Sequence, residues 1–190
     1  ALGAVLFLMM TTWAAGRRRL LERIRADGLL LEPFVAQLEP QDFRRAERTA
    51  IYPVADTATV PQALLHNLKH NQVLHDRNVI LTVVFHERPW VPVAERAEVE
   101  PLVRGFWRVK LHFGFMEVPD VPKALTQLAA HGLQVPVFET SFFLSRETVV
   151  PTPGGGMALW REKLFAWMLR NAASAMEFFR LPTNRVVELG

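Results

Sequence analysis

The chain opens on an apolar run, Ala1 to Ala15 (ALGAVLFLMMTTWAA), in which Thr11 and Thr12 are the polar exceptions, and the run stops abruptly at Gly16-Arg17-Arg18-Arg19. Arg23 and Arg25 follow. No polar face can be drawn through such a helix, so an amphipathic helix packed on a soluble core fits the pattern less well than a membrane helix. At about 1.5 Å per residue the run reaches roughly 22 Å, short of a hydrocarbon core about 30 Å thick. It is therefore expected to be the end of a span whose beginning lies upstream, in a longer integral membrane protein. Basic residues placed directly after it are the pattern of a helix leaving the bilayer on the cytoplasmic side.

Past the arginines the periodicity changes. Leu29 to Gln37 reads as a short amphipathic helix, Glu39 to Arg48 as a polar linker, and Thr49 to Val54 as a strand that Pro53 confines to an edge or to the strand's end. Val60 to His75 predicts a helix with Thr59 as N-cap and Pro61 in its first turn. Val79 to Phe85 (VILTVVF) is near-continuously β-branched, the mark of a strand buried on both faces. Together these form a βαβ unit, for which a right-handed crossover is expected.

The second half mixes periods. Glu98 to Val103 and Phe106 to Phe115 predict a hairpin around Arg104-Gly105, and Asp120 caps a helix to His131 with Gly132 just past it. Phe138 to Val150 reads as a strand, Pro151 to Gly156 as a loop, and Met157 to Arg180 as a long amphipathic helix covering the sheet, with a candidate break near Ala172-Ala173-Ser174. Arg185 to Leu189 is a last strand. The reading is thus a mixed, largely parallel α/β sheet flanked by helices and preceded by the stub of a transmembrane helix. Its segments are 1–16 as the end of that helix, 17–48 as basic juxtamembrane segment and linker, and 49–190 as the α/β domain.

Charge sharpens this picture. Residues 17–27 hold five Arg against Glu22 and Asp27, and the rest of the chain holds 17 basic and 17 acidic side chains, so the whole net charge of +3 sits beside the apolar run. The sequence pI near 9.8 consequently does not signal a nucleic-acid partner. Arg17, Arg18, Arg19, Arg23 and Arg25 are instead the candidate membrane-interface residues. Half the residues are apolar, including 13 Phe and 5 Trp, enough for a sizeable core. The absence of Cys excludes disulfides, zinc thiolate sites and cysteine catalysis.

Candidate chemistry is sparse. His66 and His70 stand four apart, as two metal ligands would on one helix face, but Asn67 occupies the place of the general-base Glu of a zinc protease. Asn67, Asn71 and His75 fall within the stripe of Val60, Leu64, Leu68 and Leu74 and are expected inside, as a structural polar network or as a ligand lining. Arg161 projects with Met157, Trp160, Leu164 and Met168 on the last helix, where a buried guanidinium needs an anion; Glu139 and Glu147 are the candidates nearest in sequence. Gly154-Gly155-Gly156 opens that helix without the Lys-Ser/Thr of a P-loop. No metal site and no catalytic constellation assembles, so no enzyme is expected.

Residues 61–71 (PQALLHNLKHN), 78–84 (NVILTVV), 105–123 (GFWRVKLHFGFMEVPDVPK), 139–148 (ETSFFLSRET), 157–171 (MALWREKLFAWMLRN) and 178–189 (FFRLPTNRVVEL) together resemble the C-terminal region of bacterial KUP-type potassium uptake proteins. The resemblance implies uptake of K+ coupled to H+ across the bacterial cytoplasmic (inner) membrane, with a cytoplasmic C-terminal domain behind a block of membrane helices. The ions would be held by those upstream helices, so no ion-binding residue and no resident cofactor is expected here. The implied partners are the membrane-embedded transport domain of the same chain and the lipid bilayer, with a second copy of the chain as an open alternative. Two roles stay open for the domain: a regulatory and assembly module, or a nucleotide-binding sensor of universal-stress-protein-like fold.

Overall fold

Helix α1 (Leu2–Asp27) runs through Gly16 without a break, carrying the apolar run and the arginines on one continuous rod of 26 residues. In this computed structural model residues 2–38, 43–145, 149–151, 156–172 and 174–189 are described. Leu6, Phe7 and Met10 lie exposed on α1, at 52%, 71% and 71%, rather than inside a globular core. Among the described residues no helix is long and apolar enough to cross a membrane, because α1 turns strongly basic after Gly16.

Helix α2 (Leu31–Gln37) follows, and strand β1 (Arg44–Pro53) begins earlier than the hydrophobic pattern suggests. Residues 44–48, expected in the linker, are strand: Arg44 to Ala46 pair with Val73 to His75, and their polar side chains point largely to solvent while the backbone is satisfied by the ladder. Pro53 sits at the strand's end, where its missing N–H breaks no internal pairing. Helix α3 (Gln62–Asn71) is shorter than its predicted span. Gln72 turns left-handed at φ 52° and ends it, so Val73 to His75 belong to strand β2 (Val73–His86).

Strand β3 (Ala97–Pro101) and strand β4 (Phe106–Gly114) form the expected hairpin, antiparallel with Val99 opposite Val109. Arg104 and Gly105 take φ 60° and 79° at the reversal, and a Cβ on Gly105 would strike the Asp76 carbonyl, so only glycine fits there. Helix α4 (Val121–Thr126) starts where Asp120 accepts a hydrogen bond from the Lys123 N–H at 3.0 Å, and it tightens into a 3-10 turn to His131 before Gly132. Asp120→Ala is expected to lower the stability of the chain by about 1 kcal/mol, the usual worth of an N-cap side chain, read as a lower urea midpoint at unchanged slope. Strand β5 (Thr140–Ser145) lies within the Phe138–Val150 pattern, of which residues 146–148 are outside the described residues. The predicted last helix is two: helix α5 (Leu159–Arg170) and helix α6 (Ala175–Phe178), with Ser174 capping the second. Strand β6 (Val186–Leu189) ends the described chain.

The six strands make one sheet in the order β3-β4-β2-β1-β5-β6, parallel throughout except for β3. Its two faces are read off the alternation. Ile51, Val79, Leu81, Phe142 and Leu144 face the layer of Val121, Leu125 and Leu128, whereas Ala50, Tyr52, Ile80 and Phe143 face the layer of Leu31, Val35, Leu64 and Leu68. The chain divides into two compact units, Ala1–Gly28 with Glu147–Ala173, and Leu29–Arg146 with Ser174–Gly190. Helix α5 therefore groups with α1 in the first unit, whereas the sequence pattern assigns it to the sheet domain. Its apolar stripe is used on α1 instead.

Candidate functional site

In the α1–α5 unit, Arg17, Arg18, Arg23 and Arg25 are exposed and Arg19 is half-buried. Arg18 faces Glu22 one turn on, at 3.9 Å in full solvent, a pair worth little. The fully buried hydroxyl of Thr12 accepts from Arg161 Nε at 3.1 Å, and Gly16 lies directly under the Phe165 ring, which also meets Trp13 with centroids 5.6 Å apart. Arg161 is half-buried and its described partner is this neutral hydroxyl. Glu139 is exposed on a 3-10 turn ahead of β5, and Glu147 lies outside the described residues.

In the sheet unit the predicted polar set is assembled in part. Asn67 is 2% exposed; its Nδ2 donates to the Val73 carbonyl at 3.0 Å and its Oδ1 accepts from Asn71 Nδ2 at 2.8 Å. Asn71 itself is exposed, because it is the last residue of α3 and reaches back inward by its side chain alone. His75 is buried from β2 rather than from the helix, with its ring edge-on to Phe143, which stacks on Tyr52. Burial lowers the His75 imidazole from its ordinary value and pushes the Tyr52 phenol well above its own, with Asn67 pulling the phenol the other way. These groups tie the start of β2 to the end of α3. His66 and His70 stack on each other along the helix, and among the described residues no group of three or more ligands could hold a metal ion.

The place where an open α/β sheet binds small ligands is the crevice where strand order reverses, here between β1 and β5. The chain's own groups occupy that end of α3. The Ala63 N–H donates to Ser145 Oγ at 3.0 Å, and Leu29–Leu31 lies across the β1–α3 loop through Leu31 N–H to the Ala58 carbonyl and Val60 N–H to the Leu29 carbonyl, both 2.9 Å.

A second cluster, at the far ends of β2 and β4, has no signal in the sequence. His86 Nε2 and His112 Nδ1 are 2.8 Å apart, and His112 Nε2 is 3.4 Å from Glu98 Oε1. In one tautomer His86 donates to His112 Nδ1, which leaves the His112 Nε2 beside the Glu98 carboxylate without a hydrogen bond. Burial lowers the His112 imidazole from its ordinary 6.5, with Glu98 opposing and His86, Lys110 and Arg88 adding to the depression. A histidine whose native value is depressed stabilises the fold at pH above its unfolded value, and that contribution is lost as the pH falls toward the native value. The urea midpoint is thus expected to fall between about pH 7.5 and about pH 5, and His112→Gln is expected to flatten that slope. An unchanged slope would remove His112 from the account. Finding the pair needs the register that sets Val84 opposite His112, which spacing alone cannot supply.

A family model described as the K+ potassium transporter C-terminal domain matches residues 47–190. A protein named probable potassium transport system protein Kup 2, from Albidiferax ferrireducens, is 58% identical over 189 residues, covering 100% of this chain and 30% of the relative. Proteins named probable potassium transport system protein Kup are 50% identical over 190 residues in Methylibium petroleiphilum, covering 100% of the chain, and 52% over 188 residues in Pseudomonas savastanoi pv. phaseolicola, covering 99%. The chain spans about 30% of the length of each of these relatives. No solved structure matches it. With three-quarters of its length inside the family model and whole-chain relatives at 50% identity or more, the chain belongs to the K+ potassium transporter C-terminal domain family.

Proposed function

We propose that this chain is the C-terminal part of a bacterial potassium uptake transporter that couples K+ to H+ across the cytoplasmic membrane. The sheet unit is its cytoplasmic regulatory and assembly domain. The observation that carries the reading is whole-chain identity of 58% to a protein named for potassium transport, of whose length the match covers 30%. α1 supports the same topology: its exposed apolar half extends the end of the last span, and Arg17, Arg18, Arg19, Arg23 and Arg25 hold the cytoplasmic interface. K+ and H+ are substrates of the upstream helices, and the domain carries no cofactor in this account. The nucleotide-sensor alternative is not favoured, since at the crevice it would use the Ala63 N–H is already bonded to Ser145 and the Leu29–Leu31 segment is bonded across the β1–α3 loop.

The test is growth on limiting potassium of a bacterium stripped of its own uptake systems. The full-length protein is expected to restore growth and acid-stimulated uptake, and removal of residues 29–190 is expected to abolish it. A full-length protein that gives no uptake would overturn the transport reading. A truncated protein that transports as well as the intact one would leave transport standing and remove the regulatory and assembly role.

A further inference from the structure

Helix α5 packs one side on α1 and, among the described residues, leaves the other exposed. Phe165, Ala166 and Glu162 are buried, and at about 100° per residue the opposite side carries Trp160, Leu164 and Trp167, with Lys163 and Arg170 along its edge and no acid among them. Trp160 and Trp167 are 54% and 52% exposed. Two open indoles one heptad apart, flanked by Lys163 and Arg170, are costly in water. They suit the boundary between headgroups and acyl chains, where an indole buries its ring and keeps its N–H wet and where basic heads meet lipid phosphates.

The position of α5 along α1 fixes the depth. Arg161 meets Thr12 and Phe165 meets Gly16, so α5 starts beside the end of the apolar run and continues beside the basic segment. α1 and α5 together hold eight basic side chains against three acidic ones. We infer that α5 is a second membrane-anchoring element, following α1 through the anionic headgroup interface with Trp160 and Trp167 turned to lipid, and that it holds α1 at the point where that helix leaves the bilayer. The inference rests on the reading of α1 as a membrane helix end, and the experiment below separates the two.

The chain has no Cys, so single cysteines label cleanly. Leu6→Cys, Trp160→Cys, Trp167→Cys and Trp90→Cys, each carrying an environment-sensitive fluorophore, are bound to vesicles of phosphatidylcholine with phosphatidylglycerol containing nitroxide lipids quenching at shallow or deep positions. The expected result is deep quenching at 6, shallow quenching at 160 and 167, and none at the exposed Trp90 of the sheet unit. The paired change Lys163→Glu with Arg170→Glu is expected to weaken binding to the anionic vesicles by about tenfold or more while far-UV circular dichroism stays unchanged. Quenching at 6 without quenching at 160 and 167 would overturn the role of α5 and leave α1 intact. No quenching at 6 would overturn the reading of α1, and the proposal with it. Labels at 160 and 167 that become shielded without lipid as protein concentration rises would assign this face to a second copy instead.

Discussion

Arg96→Ala is expected to destabilise the chain by about 3 kcal/mol, the low end for breaking a buried ion pair, and to lower its melting temperature by about 6–12 °C for a fold of this size. The Arg96 and Glu117 side chains are 12% and 13% exposed, and they meet in two parallel bonds, Nη2 to Oε1 at 2.5 Å and Nη1 to Oε2 at 3.1 Å. The guanidinium also donates to the carbonyls of Val91 and His112 at 2.9 Å and lies 4.7 Å over the Phe113 ring. One side chain thereby fastens the start of β3, the end of β4 and the loop that follows β2. Truncation leaves the Glu117 carboxylate with the N–H groups of Gly114 and Val91 and no cation. Arg96, first among the causes, holds that carboxyl below its ordinary value of 4.5, so the stabilisation is present above that value and lost as the pH falls through the native one. The gap between wild type and variant should accordingly narrow in acid. Adding Glu117→Gln to Arg96→Ala should recover part of the loss, and a double variant no better than the single would show that packing on Phe113, not charge, is what matters.

Gly16→Val is expected to cost about 2 kcal/mol by overpacking, and to do so inside the α1–α5 unit alone. A Cβ at Gly16 would collide with the Phe165 ring, which is 3% exposed and also meets the Trp13 ring. A rigid ring has no flexible end to give way. Amide hydrogen exchange should therefore speed up along α5 while the strands β1 and β2 keep their protection. Phe165→Ala in the same chain should make the Gly16 change nearly free, since the obstacle is gone. Unaltered exchange along α5 in the Gly16→Val protein would show that the two helices do not depend on this close approach.

The sheet was legible because its strands obey a strict rule. Val79 to Phe85 reads as buried on both faces; Val79 to Leu81 are, whereas Thr82 to Val84 are half-buried and Phe85 is exposed; the hairpin at Arg104-Gly105 and the Asp120 cap follow from backbone conformation and short-range hydrogen bonding. What misled was periodicity near element ends. His75 continues the apolar stripe of α3 at helical spacing, yet one left-handed residue at Gln72 transfers it to β2. The stripe on Met157 to Arg180 was real, but amphipathicity says only that one side is covered and not by what; α1 answers that for α5. Trp160, assigned to the covered side, is on the open one. The Arg96–Glu117 and His86–His112 pairs join residues 21 and 26 positions apart through strand register, and no composition or spacing rule encodes such a meeting.

The two rims of the sheet have a consequence for life in a crowd. A strand at a rim offers its backbone to any similar strand that drifts past, and identical molecules held in one plane meet rim to rim far more often than molecules free in three dimensions. β3 is five residues long, ends in Pro101, and turns Glu98 and Glu100 toward Lys110 and Arg108 of its own neighbour. β6 is four residues long and carries Glu188. Short and charged, and at β3 closed by a proline, these borders give a passing copy too little ladder to zip onto, so the molecules can be packed densely side by side without their sheets joining.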